Sequence, residues 1–210
     1  MKSHAIPFYV NVSSLQHTLP SLPMYLIQIS SKPANPKRLS PKQEKIYFDT
    51  TQRQWAGKYT NARTERERRN YVGYFLEDLV DLVLTSLGFH VDKPVRGSKT
   101  IQTTDMTAIK YYQRYDDLYF AVECMNSVET YSKYYIDRIR NRLQRAKNGG
   151  YHAMVVCGNR NKNFRYDLSF LLEPNVIIDL WKQYSPIGTT FRDYIDLKRR
   201  IRKEVYKFKK

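Results

Sequence analysis

Apolar residues recur at intervals of three and four along Val72, Phe75, Leu76, Leu79, Val83 and Leu87, which is the period of one helix face. The pattern begins after Thr64, whose Thr-x-x-Glu spacing to Glu67 is a capping box, and stops at Gly88. A long core helix is therefore predicted between those two positions. Past Gly88 the period changes. Phe89 to Val95 and Ile101 to Lys110 read as a strand pair around a turn at Arg96, Gly97 and Ser98. Leu118 to Val122 is a short apolar, β-prone run of the kind found in buried strands. Ser127 to Lys147 returns to helical spacing, with Tyr131, Tyr134, Tyr135, Ile136, Ile139 and Leu143 on its packing side, and Gly149 and Gly150 end it. Tyr151 to Cys157 is the next apolar strand, so strand, helix and parallel strand form a right-handed crossover. Val176 to Trp181 reads as a further short strand or sheet edge. A closing amphipathic helix from about Thr190 to Phe208 sets Phe191, Tyr194, Ile195, Ile201, Val205 and Phe208 against Lys198, Arg199, Arg200, Arg202 and Lys203.

The stretch ahead of this array is less periodic. Ile6 to Val12, Met24 to Ser30 and Lys45 to Thr50 have the look of short strands. Lys32 to Lys42, with Pro33, Pro36 and Pro41, reads as a semi-rigid linker. The expected organisation is an accessory β element or arm over residues 1–59 followed by an α/β core over residues 60–210.

Charge narrows the class of partner. Lys and Arg number 36 against 20 Asp and Glu, a formal charge of +16, and such an excess favours a polyanion, most often nucleic acid. Hydrophobic residues make up 41% of the chain, which excludes wholesale disorder. No apolar run approaches the ~18 residues of a membrane span, so no membrane is expected and an intracellular, cytoplasmic location is. Two cysteines, Cys124 and Cys157, are too few for a disulfide scaffold or a four-thiolate zinc site, and buried free thiols are expected. His4 and His17 have no partner at ligand spacing and read as surface residues.

Three carboxylates carry the candidate chemistry. Glu123 ends the Leu118–Val122 run, and a charge at the mouth of a buried strand is costly unless it is paired, hydrogen-bonded or bound to metal. Asp105 lies among β-branched and apolar residues and shares a face with Thr107 and Ile109. Glu77 sits at the edge of the core-facing helix stripe, whereas Asp78 and Asp81 point further round and are expected to be solvated. Taken alone, Glu77 is an ordinary surface glutamate; with the other two it completes an oxygen-rich set suited to Mg2+ or Mn2+, with no small-molecule cofactor. A divalent ion held so would lower the pKa of a bound water and neutralise charge on a phosphate.

Helix with Glu77, strand with Asp105, strand with Glu123, then helix and apolar strand is an order that resembles the PD-(D/E)xK nucleases over roughly Thr64 to Gly158. Within them the archaeal Holliday-junction resolvases are the nearest likeness, through AVECMNS at the central strand and NGGYHAMVVCG after the helix. The resemblance implies a restriction-endonuclease-like mixed sheet core flanked by helices, with the N-terminal β element and basic C-terminal helix appended. It implies catalysis by Glu77, Asp105 and Glu123 on branched or double-stranded DNA, as a homodimer. Two positions depart from the pattern: Thr104 stands where the family often has Pro, and Met125 stands where it has its Lys. Lys133, in the following helix, or Lys110, at the end of the Asp105 strand, could replace that cation, and alternation favours Lys133 because it puts Lys110 on the face opposite Asp105.

Three functions remain open on the sequence. The first is a metal-dependent DNA endonuclease acting on branched or structured DNA. The second is a nuclease-fold DNA-binding protein with little activity, which Met125 keeps in play. The third is a basic adaptor for an anionic membrane or an acidic protein, which has no need of carboxylates at strand ends. Phosphate contacts are expected from Arg66 and Arg69 at the first helix start, from Lys133, Arg138 and Arg142 on the crossover helix, and from Arg199 and Arg202 on the last. Helical ion pairs with Glu65 and Glu67 are the competing account of the first group.

Overall fold

The computed structural model describes residues 34–94, 104–112, 116–126, 133–157, 176–179 and 183–208, with backbone alone at 133–136 and 176–179. The expected strands at 6–12 and 24–30, both histidines near the N-terminus, and the turn at 96–98 lie outside them. In chain order the elements are α1 (Pro41–Thr60), α2 (Glu65–Ser86), β1 (His90–Asp92), β2 (Met106–Lys110), β3 (Leu118–Met125), α3 (Lys133–Asn148), β4 (His152–Cys157), β5 (Val176–Asp179) and α4 (Phe191–Tyr206).

The largest departure from the sequence reading is α1. Lys45 to Thr50, expected as a strand, lies inside a helix that opens with Pro41 at N1 and a reciprocal Ser40–Gln43 capping box. Its buried positions Phe48 and Trp55 are seven residues apart, two helical turns, and face one way. Ile46 and Tyr47, which made the segment look β-like, are exposed. Trp55 packs on Tyr71 and Tyr74 of α2 at 5.9 and 5.7 Å, and Phe48 on Phe191 and Tyr194 of α4 at 5.5 and 5.7 Å. Residues 41–59 are thus core, and the compact unit runs from Ala34 rather than from residue 60. The proline-bearing stretch before α1 is pinned as well, by Asn35 against the Tyr111 backbone and by the Ala34 carbonyl against His90.

α2 follows the sequence closely. Thr64 and Glu67 form the capping box, and Val72, Phe75, Leu76, Leu79, Val80, Val83 and Leu84 are buried. Gly88 leaves the helix at φ +84°, a left-handed conformation that glycine adopts at little cost. Asp78 and Asp81 are not simply solvated. Asp78 accepts from the Trp55 indole N–H at 2.6 Å and from Lys93 at 2.9 Å, and Asp81 pairs with Lys93 at 2.5 Å.

The sheet is mixed, in the order β1-β2-β3-β4-β5, with β1, β2 and β3 antiparallel and β3, β4 and β5 parallel. Strand alternation divides it into two faces. Leu118, Phe120, Val122 and Cys124 of β3 join Met106, Ala108, Met154 and Val156 in the core shared with α1, α2 and α4. Ala121, Glu123 and Met125 point to the other face, which α3 covers with Ile139, Leu143 and Ala146. Cys124 and Cys157 are buried free thiols. On α4, Tyr194, Leu197, Ile201 and Val205 are buried, while Ile195, expected among them, is 42% exposed because it falls one step round the helix. Tyr194 and Lys198 both bond Glu44, a buried carboxylate on α1. Among the described residues no helix is long and apolar enough to cross a membrane.

Candidate active site at the ends of β2 and β3

Antiparallel pairing of β2 with β3 sets Met106 opposite Val122. The next position outward places Asp105 opposite Glu123, on the α3 side of the sheet. Two side chains so opposed on one face stand ~5 Å apart at Cβ. The Asp105 Oδ2 accepts the backbone N–H of Cys124 at 2.7 Å, and the Thr104 hydroxyl donates to the Met106 carbonyl at 3.1 Å, which holds the bend before β2. On the other strand, Asn126 fixes the end of β3. Its amide donates to the Val72 carbonyl at 2.7 Å and to the Tyr184 carbonyl at 2.5 Å, and its Oδ1 accepts the Tyr184 N–H at 2.8 Å. The strand end is thereby tied to α2 and to the segment preceding α4.

Glu123 is 1% exposed, and its carboxylate accepts the Arg142 Nη1 at 3.1 and 3.4 Å. Burial pushes its pKa well above the usual carboxylate range, and the charge of Asp105 pushes it further, against the pull of Arg142. Asp105 is also raised, first by burial, with the Cys124 N–H and Arg142 opposing. The two therefore titrate as one pair that resists double ionisation. A proton or a divalent cation relieves the same repulsion.

Glu77 stands apart. It is half-buried on α2, which packs on the Cys124 side of β3 rather than the Glu123 side. Its charge is felt at the Cys124 thiol, which burial raises most and Asp105, Glu77 and Glu123 raise in turn. Among the described residues, no three Asp, Glu, His or Cys side chains form a set that could hold a metal ion. The structure thus unites Asp105 and Glu123 and leaves Glu77 outside.

The expected cations are dispersed. Lys133 opens α3, but its side chain lies outside the described residues. Lys110 is excluded as the missing lysine: it sits at the far end of β2 from Asp105, donates to the Leu87 carbonyl closing α2, and lies 5.2 Å over the Phe89 ring. Met125, standing where the resemblance has its Lys, shares the Glu123 face and is fully buried. Arg142, read from the sequence only as a phosphate contact, is the guanidinium that meets Glu123. Its position in a basic helix was legible, but its partner depends on how the crossover helix seats on the sheet.

Of the other expected phosphate contacts, Arg66 and Arg69 are exposed at the start of α2, with Arg69 beside Glu65 at 3.4 Å. Arg138 is exposed on α3, and Arg199 and Arg202 are exposed on α4. The chain matches no protein-family model, no curated protein and no solved structure at a significant level.

Proposed function

We propose that the protein is a metal-dependent DNA endonuclease with a restriction-endonuclease-like fold, hydrolysing phosphodiesters at the Asp105–Glu123 pair. The observation that carries this reading is the pairing itself. Two acids set opposite each other at a sheet end, one of them 1% exposed, repel each other even with Arg142 beside Glu123, and a divalent cation would remove that repulsion. Support comes also from the order of elements, a helix, three antiparallel strands, a crossover helix and a parallel strand, which agrees with the nuclease resemblance.

The pair fits a hard divalent cation, since its donors are carboxylate oxygens whose mutual repulsion such an ion removes. Asp105 and Glu123 would hold Mg2+ or Mn2+, which supplies an acidified water and charge neutralisation at phosphate. Arg142 takes the part expected of a lysine, because its guanidinium already reaches Glu123 and can hold a phosphate oxygen in the same space. Asn126 and the Cys124 N–H keep the two strand ends in register while charge is redistributed. Branched DNA as substrate and a symmetric dimer as assembly are the parts of the proposal that rest on resemblance.

A second reading, a nuclease-fold DNA-binding protein with little cleavage, is favoured by one feature: Arg142 already neutralises Glu123 while Met125 supplies no charge. Cleavage of linear, nicked and four-way DNA with Mg2+ or Mn2+ separates the two. The first reading requires cleavage that vanishes in Glu123→Ala and Asp105→Ala and in chelator. The second requires DNA binding with no metal-dependent product.

A further inference from the structure

The outer face of α4 has a composition unlike that of any other described helix. Each of its exposed positions is basic except Ile195 and Tyr206, and its acids Asp193 and Glu204 are partly withdrawn from solvent while the Asp196 carboxylate is exposed beside Arg199. Arg192, Arg199, Arg200, Arg202 and Lys203 supply the charge. From Arg192 to Lys203 the helix rises about 17 Å, and over that length duplex DNA presents about ten backbone charges. Arg199 is held only by an exposed pair with Asp196 at 3.0 Å, which a phosphate can displace, and Arg202 rests over the Tyr206 ring at 5.3 Å.

We infer that the outer face of α4 is a binding surface for the backbone of duplex DNA, separate from the Asp105–Glu123 site and on the opposite side of the sheet from it. The separation follows from layering. α4 packs against α2 on the Cys124 face, whereas Glu123 points to the face that α3 covers. A duplex lying along α4 is therefore not the stretch presented to the carboxylates.

Two competing partners fit less well. An amphipathic helix that lies in a lipid surface must offer its apolar face to the acyl chains. That face of α4 is spent in the core, with Tyr194, Leu197 and Ile201 at 0% exposure. Single-stranded nucleic acid calls for aromatic rings on which bases can stack, and the only exposed ring on this helix is Tyr206, already covered by Arg202. A cluster of cations at 199–203, with Arg192 two turns away and no stacking platform, suits a duplex backbone.

The inference does not depend on cleavage, and the test keeps the two apart. Binding of the full chain to a linear duplex is followed by fluorescence anisotropy between about 50 and 200 mM salt. For Arg199→Ala/Arg202→Ala, the slope of log K against log salt becomes shallower by about 2, one for each lost phosphate contact. Arg199→Lys/Arg202→Lys keeps most of the slope, since a phosphate reads the charge, and it also controls for folding. Binding is measured without added divalent metal, so that no cleavage enters the readout. A slope unaltered in the alanine pair overturns the inference, as does a lysine pair that loses as much as the alanine pair. Loss of binding to phosphatidylserine vesicles with duplex binding intact overturns it as well.

Discussion

Glu123 is a buried carboxylate with a raised pKa beside Arg142, and the pH dependence of stability follows from the sign of that shift. Folded-state values for Glu123 and Asp105 lie above their unfolded ones, so between the ordinary carboxylate range and the raised values the folded chain binds more protons than the unfolded. Stability contributed by the pair is complete below about pH 4 and falls as pH rises through the folded values. Melting temperatures at pH 5 and pH 8 should therefore differ less in Glu123→Gln than in the native chain. Parallel behaviour of the two proteins would show that the acids are not coupled. Arg142 acts in the opposite sense. With Arg142→Met the buried acid loses its counter-charge, at a cost of about 3 kcal/mol at pH 8 and less at pH 5, where Glu123 can take up a proton. Denaturant titration at the two pH values checks both the size and the order.

At the level of the element, α1 and α2 show what could be read from the chain and what could not. The α2 stripe repeats through Val72, Phe75, Leu76, Leu79 and Val83, with a capping box before it and Gly88 after it, so every local signal agrees with the fold. In α1 only Phe48 and Trp55 carry the buried face, two turns apart, with a buried Glu44 between the helix start and Phe48. The adjacent Ile46, Tyr47 and Phe48 mimic a strand, and nothing local reveals that the first two point to water. The candidate site divides in the same way. Asp105 and Glu123 were legible because each breaks an apolar run, whereas the pairing of Arg142 with Glu123, the burial of Met125 and the displacement of Glu77 depend on how helices seat on the sheet. Phe48→Ala should cost about 3–5 kcal/mol, measured by urea unfolding, since it opens a hole between α1 and α4. A loss near zero would return residues 41–60 to the status of an appendage. Thr64→Ala should cost about 1 kcal/mol, the value of a single helix cap.

For the molecule as a whole, layering separates two tasks that the sequence presented as one basic surface. The α3 side of the sheet carries the acid pair and Arg142, and the α4 side carries the basic outer face of α4. Under the proposed function the formal charge of +16 would draw DNA to both, so affinity and chemistry should respond to different substitutions. The account rests most heavily on the claim that Asp105 and Glu123 hold a divalent cation in place of a proton. Calorimetric titration of the full chain with Mn2+, in two buffers of different ionisation enthalpy, tests it without reference to cleavage. The account predicts one binding event whose proton release grows as pH is lowered toward the carboxylate range, because proton and ion compete for the same oxygens. Binding is lost in Asp105→Asn and Glu123→Gln and is retained in Glu77→Gln. Mn2+ binding that is undiminished in Glu123→Gln, or whose proton release does not change with pH, would contradict it.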